Sequence, residues 1–131
     1  MSRRRTRWED GGQASVELAL LLPVVLLLLL AVLQVGLLAR DVVLVTHAAR
    51  EGARAAATDP HPRVARAAAV ASSGLDPSRL TVSTVVTGEG TSRRVRVEVT
   101  YRAPTSVPLV GTLLADRTLR TAATMRVEVP P

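Results

Sequence analysis

Few side chains in this sequence are equipped for chemistry. The 131 residues hold 17 Arg, no Lys and no Cys. A disulfide framework, a thiolate metal site, a cysteine nucleophile and a lysine Schiff base are therefore all excluded. The two histidines, His47 and His61, stand 14 positions apart, and no carboxylate or thiol is spaced to complete a metal shell with them. His47 reads as a polar position on a helix. Ser72-Ser73 lacks the strand-turn-helix setting of a nucleophile elbow, and Gly88-Glu89-Gly90 reads as a hairpin turn rather than a phosphate-cradling loop. The expectation is a chain that is not an enzyme and uses no cofactor and no metal. Two features remain to be placed. One is a single carboxylate, Glu17, and the other is the distribution of arginines.

Glu17 stands at the mouth of an apolar run. From Leu18 to Ala39 the sequence is LALLLPVVLLLLLAVLQVGLLA, uncharged and interrupted only by Pro23, Gln34 and Gly36. At about 1.5 Å per residue such a helix spans roughly 33 Å, against a hydrocarbon core of about 30 Å. A buried core helix would need apolar partners on every side. The remaining sequence, two-fifths apolar and rich in Ala, is too small and polar to supply them. The run therefore predicts a transmembrane helix. Pro23 falls in its second turn, where it costs at most a kink. Before it stand Arg3, Arg4, Arg5 and Arg7 with Trp8, a basic leader that the positive-inside rule keeps cytoplasmic. The C-terminal part then faces outward. A cleaved signal peptide would have a shorter apolar region and a small-x-small site after it, which VGLLAR does not offer.

A carboxylate at the edge of lipid needs hydration or a partner. In the first turn it suits the helix dipole, which is one sufficient reason for Glu17. A second emerges from the spacing. If the chain were cut after Gly12, Gln13 would become the first residue and Glu17 the fifth. A free amino group would then stand one turn from a carboxylate in a medium of low dielectric constant. Between neighbouring chains, the amine of one would pair with Glu17 of the other and set the axial register of stacked helices.

This arrangement of a short basic leader, a Gly, and a Glu five residues on at the head of a long apolar helix resembles the class III prepilins. The segment GQASVELALLLPVVLLLLL is similar to the start of the TadE-like pseudopilins of the tight-adherence (Flp pilus) system. The later block His47 to Ala57, with AAREGARAAA, resembles the second recurring block of that family. The two together cover about a third of the chain. The resemblance implies a structural membrane protein of pilus assembly, with other pilin or pseudopilin subunits as partners and a prepilin peptidase cutting between Gly12 and Gln13. Two departures from the family pattern bear on different points: Asp10 and Gly11, not a basic residue, precede Gly12, which weighs against a cut at that bond, and the chain is much longer than a major Flp subunit, which implies a minor or pseudopilin-type component.

Beyond the membrane, residues 40–57 continue the helix. Val42, Val43, Val45, Ala48, Ala49, Ala53, Ala56 and Ala57 form an apolar stripe. Gly52 weakens that helix by about 1 kcal/mol relative to Ala, while its small size lets another element come close. Whether that element is this chain's own sheet or another pilin chain stays open. Thr58-Asp59-Pro60-His61-Pro62 breaks the helix, and residues 63–72 predict a second short one. From Leu80 the period becomes two: Leu80, Val82 and Val85 or Val86 make one strand, and the stretch Arg93 to Arg102 alternates almost strictly. Leu109 to Leu114 is a short apolar segment, and Thr118 to Val129 is a final strand candidate. The expected fold is α+β: a transmembrane helix extended outward, a short second helix and a small antiparallel sheet of two to three strands. The chain divides into a leader (1–12), a transmembrane and extended helix (13–57) and a small extracytoplasmic head (58–131).

Arg93, Arg94, Arg96 and Arg102 make one strand strongly cationic. A solvated face accounts for them. The alternative function is a single-pass anchored envelope protein whose Arg-rich head binds an acidic polymer or DNA through phosphate charge. Nucleic acid is the weaker partner, because Tyr101 alone is available for stacking.

Overall fold

The computed structural model describes residues 9–109, 111 and 115–128. The leader residues Arg3, Arg4, Arg5, Arg7 and Trp8 lie outside them, as do Val129 and most of the apolar segment from Val110 to Leu114.

Helix α1 (Glu9–Thr58) runs unbroken for 50 residues, about 75 Å, through Pro23. Helix α2 (Pro62–Ser73) follows after a short turn. Three strands, β1 (Leu80–Thr87), β2 (Arg94–Ala103) and β3 (Arg117–Arg126), then form an antiparallel meander in the order β1-β2-β3. The α+β expectation is met with three strands.

The local signals explain these boundaries. His61 caps α2: its Nδ1 accepts the Arg63 backbone N–H at 3.3 Å, with Pro62 at the first helical position. Gly74, at φ 64°, ends the same helix in the left-handed conformation. Gly88, at φ 81°, turns β1 towards β2, and a Cβ there would stand 2.7 Å from the Ser92 carbonyl oxygen. Its place in the hairpin admits only glycine.

The core lies between the outer half of α1 and one face of the sheet. Val45, Ala48, Ala49, Gly52, Ala53, Ala56 and Ala57 are all buried, at the spacing of one helical face. Against them stand Val95, Val97 and Val99 of β2, each fully buried, together with Ala65 and Ala69 of α2. Gly52 lies at the crossing: a Cβ added to it would meet the Ala65 carbonyl oxygen at 3.1 Å and Val97 Cγ1 at 3.2 Å. The small-residue stripe therefore packs within this chain. The segment just after β3 is tied back as well, since the Glu128 N–H donates to the Ala57 carbonyl at 2.8 Å.

Where β2 approaches the lower part of this packed region, Tyr101 is 4% exposed. Burial chiefly, and then the Asp41 carboxylate, raise its pKa above the ordinary 10.0, with Arg79 opposing. The folded phenol keeps a proton that the unfolded chain loses. Stability is thus intact below pH 10 and falls as the pH rises through 10 towards the folded value. Tyr101 is the sole tyrosine, so an ultraviolet phenolate titration reads it directly. The midpoint should lie above that of the denatured chain, and coincident midpoints would contradict the assignment.

Candidate functional site

Three surfaces follow from this architecture, beginning with the bare part of α1. Every residue from 12 to 29 is exposed. Leu18, Leu20, Leu22, Val24 and Leu28 each expose more than three-fifths of their surface. The richest 18-residue window has a mean hydropathy of 3.0 and no part of it buried. An apolar surface of this extent is untenable in water, because each such side chain forgoes about 1.5–3 kcal/mol by staying exposed. The helix is long and apolar enough to cross a membrane. The expected transmembrane run, Leu18 to Ala39, lies wholly in α1, and its last third is where the head begins to cover it.

At the start of this surface, Gln13 and Glu17 sit one turn apart. The Gln13 side-chain amide donates to Glu17 Oε1 at 3.3 Å, and both residues are exposed. The contact shows that position 13 and the carboxylate of position 17 are within reach of each other along one helix face. The Gly12–Gln13 peptide bond lies inside α1, four residues after its start at Glu9. Adjacent Gly11 and Gly12 each weaken a helix by about 1 kcal/mol relative to Ala, so this turn is the one most easily opened.

The outer face of the sheet is the second surface. Arg94, Arg96 and Arg102 alternate outward from β2, all exposed, while Val95, Val97 and Tyr101 point inward. Arg93 stands apart from them. It precedes the strand as the cap of a short 3-10 turn, and its carbonyl accepts the Val127 N–H at 3.0 Å. The neighbouring strand supplies two arginines that sequence reading left out. Arg126 is directly opposite Arg94, and Arg120 of β3 bridges Glu98 at 3.4 Å. Their signal was the alternation of TLRTAATMR, legible only once its register against β2 is known. Arg94 and Arg126 are like charges on directly opposed residues, an arrangement that destabilises a strand pair unless an anion or water screens it.

The third surface is the junction of head and helix. Gln34, inside the apolar run, is 9% exposed, and its side-chain carbonyl accepts the Val107 backbone N–H at 3.3 Å. Near it, Leu37, Arg40, Asp41, Tyr101, Pro104 and Ser106 line a cavity of about 170 Å³. The Asp76 carboxyl beside it is held below the usual carboxylate range by the Ser78 hydroxyl, then by the Ser78 N–H, and last by Arg79. Of the histidines, His47 is exposed on α1 beside Val43 and Arg50, and His61 is the helix cap already described. Among the described residues no three His, Asp or Glu side chains gather as metal ligands.

The family model described as TadE-like protein matches residues 12–54. The match starts at Gly12, includes Glu17 and ends in the AAREGAR block, so it coincides with α1 and stops short of the head. Over this third of the chain the family resemblance holds. No curated protein and no solved structure matches the chain.

Proposed function

We propose that this chain, TadE-like over residues 12–54, is a single-pass membrane pseudopilin that takes part in assembling a tight-adherence, Flp-type pilus. One observation carries the reading: the stretch of α1 that is exposed for 18 residues, 12–29, carries a single acid, Glu17, near its start and five residues past Gly12. The leader faces the cytoplasm and the head lies on the far side, because the basic residues nearest the helix are densest before it. A prepilin peptidase removes residues 1–12, and the new amino group of Gln13 then serves as a cation for a neighbouring subunit's Glu17. The partners on this reading are the membrane, other pilin or pseudopilin subunits and the pilus assembly proteins. Nothing in its residues calls for catalysis.

The like-charged pair Arg94 and Arg126 favours a second reading, an anchored envelope protein whose cationic sheet face holds an acidic polymer. The two readings part at the N-terminus. Intact-mass and N-terminal analysis of the membrane-extracted protein, from cells with an active prepilin peptidase, should find a chain beginning at Gln13. A terminus at Met1 or Ser2 would overturn the pseudopilin reading and leave the second standing.

A further inference from the structure

The bond between Gln34 and Val107 constrains where the head can sit. Gln34 lies six residues before Arg40, about 9 Å of helix rise inside the first charged residue of the outer segment. The uncharged helix between Glu17 and Arg40 matches the hydrocarbon thickness with little to spare. A backbone N–H of the loop between β2 and β3 thus reaches a level of the helix that the membrane should cover.

The loop has the composition and bonding for that position. No charged residue occurs between Arg102 and Asp116, and the stretch holds Val107, Pro108 and Leu109 at its described tip. Leu109 is 56% exposed and Val107 is 4% exposed. Lipid cannot satisfy backbone donors, and two of those described in this stretch find acceptors within the chain. The Val107 N–H goes to Gln34, the Gly111 N–H reaches the Val107 carbonyl at 2.8 Å, and Pro104 and Pro108 have no N–H to satisfy. The neck of the loop is polar instead. The Thr105 N–H donates to Asp116 Oδ1 at 3.2 Å, and Asp116 pairs with Arg79 at 3.3 Å. Around this rim Arg40, Arg79 and Arg102 are exposed, with stems long enough to lie on apolar surface while the guanidinium groups stay at the headgroups.

We propose that the described start of this loop, residues 106–109, is a second membrane element. Val107, Pro108 and Leu109 dip beside α1 into the leaflet on the head's side, Gln34 anchors them, and the arginine rim meets the lipid headgroups. The head then lies against the bilayer rather than standing off it, which fixes its rotation about the helix. This placement rests on α1 spanning the membrane, so its test must read the two claims separately.

The chain lacks cysteine, so single-cysteine variants can each carry one environment-sensitive fluorophore. Full-length Leu109→Cys, Ser106→Cys, Leu26→Cys and Thr124→Cys would be reconstituted in vesicles of phosphatidylcholine and phosphatidylglycerol containing nitroxide lipids. Position 26 should be quenched best by nitroxides deep in the acyl chain. Positions 106 and 109 should lose most of their emission to nitroxides near the headgroups, and position 124 should be unaffected. Quenching at 26 with 106 and 109 as unaffected as 124 would overturn the dipping loop and leave the span intact. Absence of quenching at 26 would remove the span itself, and the loop placement with it.

Discussion

Gly52→Leu should unfold the head at temperatures where the parent chain is folded. Gly52 is buried in α1 where α2 and β2 both close on it, with the Ala65 carbonyl oxygen and Val97 Cγ1 already 3.1 and 3.2 Å from the place a Cβ would take. A branched side chain has no free volume there and must push the three elements apart. Overpacking of this kind typically costs about 1–3 kcal/mol, only partly offset by the roughly 1 kcal/mol by which Leu exceeds Gly in helix preference. For a head of this size each kcal/mol is worth about 4–8 °C in the melting temperature. Its core is built mainly from Ala and Val, so little other packing is available to absorb the strain. Circular dichroism of the detergent-solubilised chain should show the sheet signal melting well below the parent while α1 remains helical. Gly52→Ala is the informative contrast. Its methyl meets the same two atoms at close range but gains in helix preference, so its melting temperature should stay near that of the parent. A Leu variant that melts with the parent would show that the crossing is looser than these distances imply.

Glu17→Val should weaken association with pilin partners roughly ten- to hundred-fold while leaving membrane insertion untouched. The carboxylate is exposed at the mouth of the helix, one turn from position 13. On the proposed function it pairs with a neighbouring chain's free amino group. A charge-assisted hydrogen bond of this kind contributes about 1.5–3 kcal/mol, a roughly ten- to hundred-fold change in association. Valine keeps the apolar pattern and if anything favours insertion. Crosslinking in native membranes, read alongside carbonate extraction, separates the two effects. Unchanged crosslinking would sink the charge pairing and return Glu17 to its simpler role at the positive end of the helix dipole.

Both predictions concern the same helix, yet they differ in how far the chain's letters foretold them. The bare half was legible throughout. Residues 18–39 carry no charge, and a helix that satisfies all its own backbone groups is the solution a single apolar segment has in lipid. The Gly12-to-Glu17 spacing was equally plain, since it is a distance along the chain. The alternation of β2 and the turn at Gly88 were visible because side-chain period and backbone freedom are local properties.

What depended on the fold is every question of which surface meets which. The stripe from Val45 to Ala57 declared itself as a packing face, but Ala and Gly accept a sheet, a second helix or another subunit equally well. Contact with Val97 and Ala65 decides it within one chain. Arg93 looked like one of a row of four, yet it falls before the strand. Arg120 and Arg126 join that face through a register that links residues far apart in sequence. Gln34 read as one of three interruptions of the apolar run, and its partner, Val107, is 73 residues away. Local sequence therefore determined the helix long and apolar enough to cross a membrane, its acidic mouth and the strands. Which surfaces stay free for lipid or other subunits was decided by long-range packing, because burial belongs to pairs of surfaces and one segment specifies only its own half.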